Sequence, residues 1–143
     1  MSTIHADGSH VQSTIKNGIA TIEFCHPKGN AMPGHLLASL AEAITSSSQN
    51  TNTKVICLRS GGDKAFCAGA SFDELASVND ESQAKTFFSG FAKVINAMRK
   101  CPKFIIGRIH GKCVGGGVGL AAAVDMAIAV RGADVKLSEL VEI

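Results

Sequence analysis

The run Gly111-Lys112-Cys113-Val114-Gly115-Gly116-Gly117-Val118-Gly119-Leu120-Ala121-Ala122-Ala123 decides how the rest of the chain is read. It is entered from an apolar segment, Phe104 to His110, whose isoleucines suit a buried strand. Leu120 to Val124 offers mostly good helix formers, and Asp125 to Val130 returns to strand character. The reading is strand, glycine turn, helix, strand. Glycines in such a turn allow positive φ and, lacking Cβ, let a ligand approach backbone N–H groups. Those groups lie at a helix N-terminus, where partial positive charge favours an anion or a developing oxyanion. Close packing of a helix on a sheet is the plainer use of glycine. Four glycines between Gly115 and Gly119 exceed what packing usually needs, so a ligand or oxyanion site is preferred.

Working upstream, a second small-residue turn appears at Ala68-Gly69-Ala70, after the strand Lys54 to Arg59 and the loop that starts at Gly61. Between the two turns lies the clearest helix, with Ala84, Phe87, Phe88, Phe91, Ile95 and Met98 on one face. A phenylalanine stripe at this spacing reads as core, and Pro102 marks the helix end. Earlier still, Pro33 suits the first turn of a helix whose apolar face is Leu36, Leu37, Leu40 and Ile44. His26 to Asn30 is a loop. Val11–Ile15 and Ile19–Phe24 flank Asn17-Gly18, the dipeptide favoured in two-residue hairpin turns. Residues 1–9 read as a flexible terminus and 10–143 as the core. The alternation of strands and helices predicts an α/β fold.

Composition narrows the function. The 143 residues suffice for one domain, and 45% hydrophobic against 18% charged residues fit a globular chain. A net charge of +2 and the absence of Trp and Tyr argue against a nucleic-acid surface. The one basic cluster, Arg99, Lys100 and Lys103, reads as a solvated helix end. Five cysteines, an odd number without CxxC spacing, read as neither a disulfide framework nor a zinc site and suggest a reducing compartment. No secretory signal is visible at the N-terminus. The longest apolar stretch, Val114 to Val130, is interrupted by Asp125 and is too glycine-rich to span a bilayer. The expectation is a cytoplasmic protein without nucleic-acid or membrane partners.

Two chemistries suit the glycines. Gly117-Val118-Gly119-Leu120-Ala121-Ala122 fits G-x-G-x-x-A, a dinucleotide signature, though the following strand ends at Val130-Arg131 without the acidic residue that would hold a ribose. The other chemistry uses both turns. Each follows a strand and leads toward a helix, so each can present an N–H, and two N–H groups converging on one carbonyl oxygen form an oxyanion hole.

At this point the chain resembles a known family. Lys64-Ala65-Phe66-Cys67-Ala68-Gly69-Ala70-Ser71-Phe72-Asp73-Glu74-Leu75, followed by Gly111 to Asp125, is similar to the paired motifs of the enoyl-CoA hydratase/isomerase, or crotonase, family. Asn30-Ala31-Met32 resembles its Asn-Ala segment before the first helix. The resemblance runs from about Ile15 to the last residue and implies a spiral of ββα units, stopping before the closing part of the spiral and the helical trimerisation region. It implies an acyl-CoA thioester as ligand, coenzyme A entering only as part of the substrate, and no metal or redox cofactor. It also implies a homotrimer or hexamer at full length.

Residue by residue, the resemblance assigns the N–H groups of Ala70 and Gly116 to the thioester oxygen and Glu139 to the family's second catalytic glutamate. Adenine and pantetheine are expected near Ala68, Phe72 and the Asn30-Ala31 loop, with Lys28 and Lys64 as phosphate contacts. Gly119 stands where the hydratases carry their first catalytic glutamate, and Ser71 where an aspartate is common. Asp125 is expected to be buried in a structural hydrogen bond. His35, His110, Cys67 and Cys113 read as structural. The favoured function is isomerase-type chemistry on an enoyl-CoA. The alternatives are a hydratase with a non-standard second acid/base, a non-catalytic acyl-CoA-binding protein, and a dinucleotide-binding module.

Overall fold

The computed structural model describes residues 1–138. The hairpin forms as expected: β2 (His10–Lys16) pairs antiparallel with β3 (Ile19–Cys25), and Asn17 and Gly18 take φ of 53° and 81° at the turn. One correction precedes it. Residues expected to be loose contain a strand, β1 (Ser2–Ile4), antiparallel to β2. The turn after it is tied down through Asp7, whose carboxylate accepts from the Ser9 hydroxyl and N–H at 2.6 and 2.9 Å. His35 Nε2 reaches the other oxygen at 2.9 Å. Hydrogen bonds from Ser9, then the His35 ring, hold the Asp7 carboxyl well below the usual carboxylate range. His35 is therefore structural, joining this terminus to the following helix.

After β4 (Ala31–Met32) comes α1 (Gly34–Gln49), which buries Leu36, Leu37, Leu40 and Ile44 as its periodicity predicts. Then follow β5 (Val55–Ser60), β6 (Ala65–Cys67), β7 (Gly69–Ala70) and the short α2 (Phe72–Ala76). The long α3 (Glu81–Lys100) is capped by Asp80, whose side chain accepts from Gln83 N–H, and stops before Pro102 with Arg99 and Lys100 in its last turn. The chain continues as β8 (Phe104–Ile109), β9 (Lys112–Val114), α4 (Gly116–Ala123), β10 (Met126–Ala129) and β11 (Val135–Lys136). The helix expected from Leu120 starts earlier, at Gly116, so three of the glycines lie inside it.

Repetition organises these elements. From β3 onward each unit gives one strand to a six-stranded sheet, ordered β1-β2-β3-β5-β8-β10, then one or two short strands to the smaller sheets, and the first three units then turn into helices. From β3 onward the large sheet is parallel. The small sheets are also parallel, β6-β9-β11 in one and β4-β7 in the other. This is the spiral of ββα units that the resemblance implied.

The core fills the space between the sheets and the helices, with Ile22, Phe24, Leu36, Leu40, Ile56, Leu58, Phe66, Val94, Ile105 and Leu120 essentially inaccessible. The phenylalanine stripe of α3 joins it only in part. Val94 and Met98 are buried and Phe91 is half-buried, but Phe88 is 70% exposed. Toward the end of the described chain, Met126, Ile128, Val130, Val135 and Leu137 are all about half exposed. Asp125 makes the expected hydrogen bond, Ile105 N–H to its Oδ2 at 2.7 Å, but it is exposed, since it sits beside this open edge.

Candidate active site

The two small-residue turns are brought together. β7 carries Ala70, and β4 holds it by parallel pairing, Ala31 opposite Gly69 and Met32 opposite Ala70. Gly69 has φ of 91°, and a Cβ built on it would lie 3.2 Å from the Val114 carbonyl oxygen and 3.6 Å from the Gly116 nitrogen. The Gly69 backbone therefore runs close beside the start of α4, with no room for a side chain between them. Gly115 turns the chain into α4 with φ of 56° and no side-chain cap, which leaves the first N–H groups of that helix without intrahelical acceptors. Gly116 is the first of them.

The other glycines have separate tasks. A Cβ on Gly117 would lie 2.8 Å from Cys67 Cβ and 2.9 Å from the Cys67 oxygen, so Gly117 serves close packing of helix on strand. At Gly116 a Cβ would meet the Phe91 ring at 2.5 to 2.7 Å, and at Gly119 it would meet Ile95 Cδ1 at 3.2 Å. Because Gly117 and Gly119 lie inside the helix and not in the turn before it, the dinucleotide reading loses the phosphate-cradling geometry that it needs.

The Ala70 side is fixed by polar groups. Asn30 is 3% exposed and takes φ of 60°. Its Oδ1 accepts from His26 N–H, and its Nδ2 donates to the Gly61 and Ala65 carbonyls, each at 2.8 Å. The Asn30 side chain is engaged in folding the loops around β6 and β7. Glu74, which sequence reasoning passed over, reaches from α2 to accept the Gly34 N–H at 2.7 Å. It caps α1, whose N-cap residue Pro33 has no side chain able to do so. Ser71 caps α2 by accepting from Glu74 N–H at 3.3 Å, so aspartate is not needed there.

The remaining expected ligand contacts lie at the surface nearby. Phe72 is 80% exposed, Ala31 and Ala68 are half-buried, and Lys64 is exposed. Lys28 forms an ion pair with Asp73, and that contact lowers the Asp73 carboxyl below its ordinary range. Glu139 lies outside the described residues. Beside the site, Glu74, Ser77, Val78, Gln83 and Phe87 line an open cleft of about 240 Å³ between α2 and α3. A larger hollow of about 500 Å³, between α1 and α3, contains none of the expected site residues.

Two thiols and an imidazole lie nearby. Burial pushes the Cys67 thiol up to about 12 and the Cys113 thiol up to about 11, which keeps both protonated near neutrality. The His110 ring nitrogens are buried and have no hydrogen-bond partner among the described residues.

The family model for enoyl-CoA hydratase/isomerase matches residues 14–141. The chain belongs to the enoyl-CoA hydratase/isomerase family. It is 34% identical, over 110 residues, to the mitochondrial methylglutaconyl-CoA hydratase of Mus musculus, covering 77% of this chain and 35% of that protein. It is 32% identical, over 108 residues, to the peroxisomal Delta(3,5)-Delta(2,4)-dienoyl-CoA isomerase of Arabidopsis thaliana, covering 68% of this chain and 38% of that one. The crystal structure of an enoyl-CoA hydratase from Bacillus anthracis superposes with a TM-score of 0.85 at 28% identity, covering 92% of this chain and 52% of that chain. The chain spans about half the length of the first curated relatives that it matches. Among the described residues no helix is long and apolar enough to cross a membrane, and no group of three or more His, Cys, Asp or Glu is placed to hold a metal ion.

Proposed function

We propose that this chain binds an enoyl-CoA thioester and shifts its double bond, with coenzyme A present only as part of the substrate. The observation that supports the reading is the closeness of the Gly69 backbone to the start of α4, with Ala70 next in the chain on one side and Gly116 on the other. In this reading both N–H groups hold the thioester oxygen. A base removes a proton from C2 of a 3-enoyl-CoA, and the negative charge moves onto that oxygen as a dienolate. The same group returns the proton to C4, leaving the double bond between C2 and C3. Donors aimed at charge that develops only during reaction stabilise the transition state more than the ground state. Lys28, Lys64, Ala68, Phe72 and the loop holding Ala31 are the proposed contacts to the nucleotide and pantetheine.

Isomerisation is preferred to hydration because water addition asks for one group to activate water and another to manage the α-proton. Gly119 has no side chain, and the space beside it is taken by Ile95. Hydrocarbon there supports single-carboxylate chemistry, with Glu139 proposed as the shuttle. Assaying the intact protein with 3-enoyl-CoA and 2-enoyl-CoA tests this. Isomerisation should exceed hydration and be lost in Glu139→Gln, whereas efficient hydration surviving that substitution would overturn it. Gly116→Val keeps the N–H but drives a side chain into the Phe91 ring, and displacing that donor should lower turnover by about 100-fold. Unchanged turnover would remove Gly116 from the site.

A further inference from the structure

We infer that Phe91 is the residue that sets which acyl groups this site accepts, and that it selects chains unbranched at C3. The inference rests on the oxyanion reading of Gly116 and concerns what lies beside it. A Cβ on Gly116 would meet Phe91 Cζ at 2.5 Å and both Cε atoms at 2.7 Å, so the tip of the ring faces that glycine. A Cβ lies about 2.5 Å from its own nitrogen, which puts the ring tip within about 5 Å of the Gly116 nitrogen. A thioester oxygen hydrogen-bonded there sits about 3 Å from the nitrogen, and C1 to C3 follow within a few bond lengths. The ring is therefore in contact range of the acyl carbons nearest the reaction.

Two further observations make this wall firm. Immediately before Phe91, Gly90 seats α3 against α1, since a Cβ on it would lie 2.7 Å from Leu37 Cδ1. One turn after Phe91, Ile95 closes on Gly119. Phe91 itself is half-buried and packs against the core. The helix cannot retreat without opening its contact with α1, so a methyl branch directed at the ring has no space to enter. Discrimination by one methyl group against a firm apolar wall is worth about 10-fold or more.

The probes are butyryl-CoA and 3-methylbutyryl-CoA, saturated thioesters whose binding to the intact protein is measured by calorimetry without turnover. The expected result is about 10-fold tighter binding of the straight chain. Phe91→Ala should bring the two affinities within about twofold, chiefly by improving the branched ligand, and Phe91→Leu should fall between. Met98→Ala, a truncation on the buried face of the same helix, should lower stability and leave the ratio unchanged. The ratio is independent of any folded fraction lost in a variant, and Phe91→Leu serves if the alanine variant does not fold. Binding of both ligands with no preference, or a preference that survives Phe91→Ala and Phe91→Leu, overturns the assignment and leaves the oxyanion reading standing. Failure of both thioesters to bind overturns the two together.

Discussion

The two walls that carry the proposed donors, Ala70 and Gly116, are held in opposite ways. Ala70 belongs to a wall clamped by polar side chains: Asn30 inside the loops, Glu74 on the end of α1, Ser71 on α2 and Lys28 against Asp73. Gly116 belongs to a wall set by steric fit, with Gly117 against Cys67, Phe91 over Gly116 and Ile95 beside Gly119. The polar wall ends a pair of two-residue strands, too short to be rigid by pairing alone, and needs directional bonds. The steric wall begins a helix and needs only closeness. The first should fail when a bond loses its partner, the second when an atom is added.

Asn30→Ala is the hardest blow to the polar wall. It takes the side-chain partner from the His26 N–H and from the Gly61 and Ala65 carbonyls and places a Cβ-bearing residue without a side-chain bond at φ of 60°. A loss of about 3 kcal/mol is expected in urea unfolding. Asn30→Gly relieves the backbone strain and should lie about 1 kcal/mol closer to the wild type. Equal losses for the two variants would mean that the left-handed conformation contributes nothing.

Gly117→Ala attacks the steric wall and should cost about 2 kcal/mol through overpacking. The sharper test is rescue. Shortening the neighbour by Cys67→Ala removes Sγ but leaves Cβ and the carbonyl oxygen, the two atoms nearest the added methyl. The double variant should therefore recover little stability. Substantial recovery would show that this wall yields, and the contrast between the walls would fall.

The contrast also explains what the sequence discloses. Long elements show their period: α1, α3, β2, β3, β5 and β8 stand where the residue pattern puts them. The short strands β4, β6, β7, β9 and β11 do not, because two or three residues carry no period and are specified by partners elsewhere in the chain. The two small-residue turns were legible, but the separate surroundings of Gly116, Gly117 and Gly119 depend on Phe91, Cys67 and Ile95, which no local pattern links to them. The three hydrogen bonds of the Asn30 side chain were not legible, because a loop asparagine gives no sign of which way it faces. Glu74 was missed because its bond to Gly34 joins segments far apart in the chain. Phe88 was assigned to the core by a periodicity that identifies a helix face but not where its neighbours stop.

The smallest effect expected concerns the outermost member of the polar wall. Lys28 and Asp73 are side chains 69% and 73% exposed, so their ion pair should leave unfolding midpoints unchanged when either is replaced. Binding is different if Lys28 contacts a phosphate, as proposed. Asp73 then competes for the same ammonium, and a phosphate approaching Lys28 must displace or share that carboxylate. Asp73→Asn frees the ammonium and removes a repelling charge, and should tighten butyryl-CoA binding about threefold at low ionic strength. Lys28→Ala should weaken it by a similar factor. Both effects should fade near 0.5 M salt, where screening falls to a few ångströms. Calorimetry at the two salt concentrations separates this from a structural role, since a loosened wall would change affinity at both. If Asp73→Asn leaves low-salt affinity unchanged, Lys28 is only a surface tie on α2, and the polar wall positions Ala70 without touching the nucleotide.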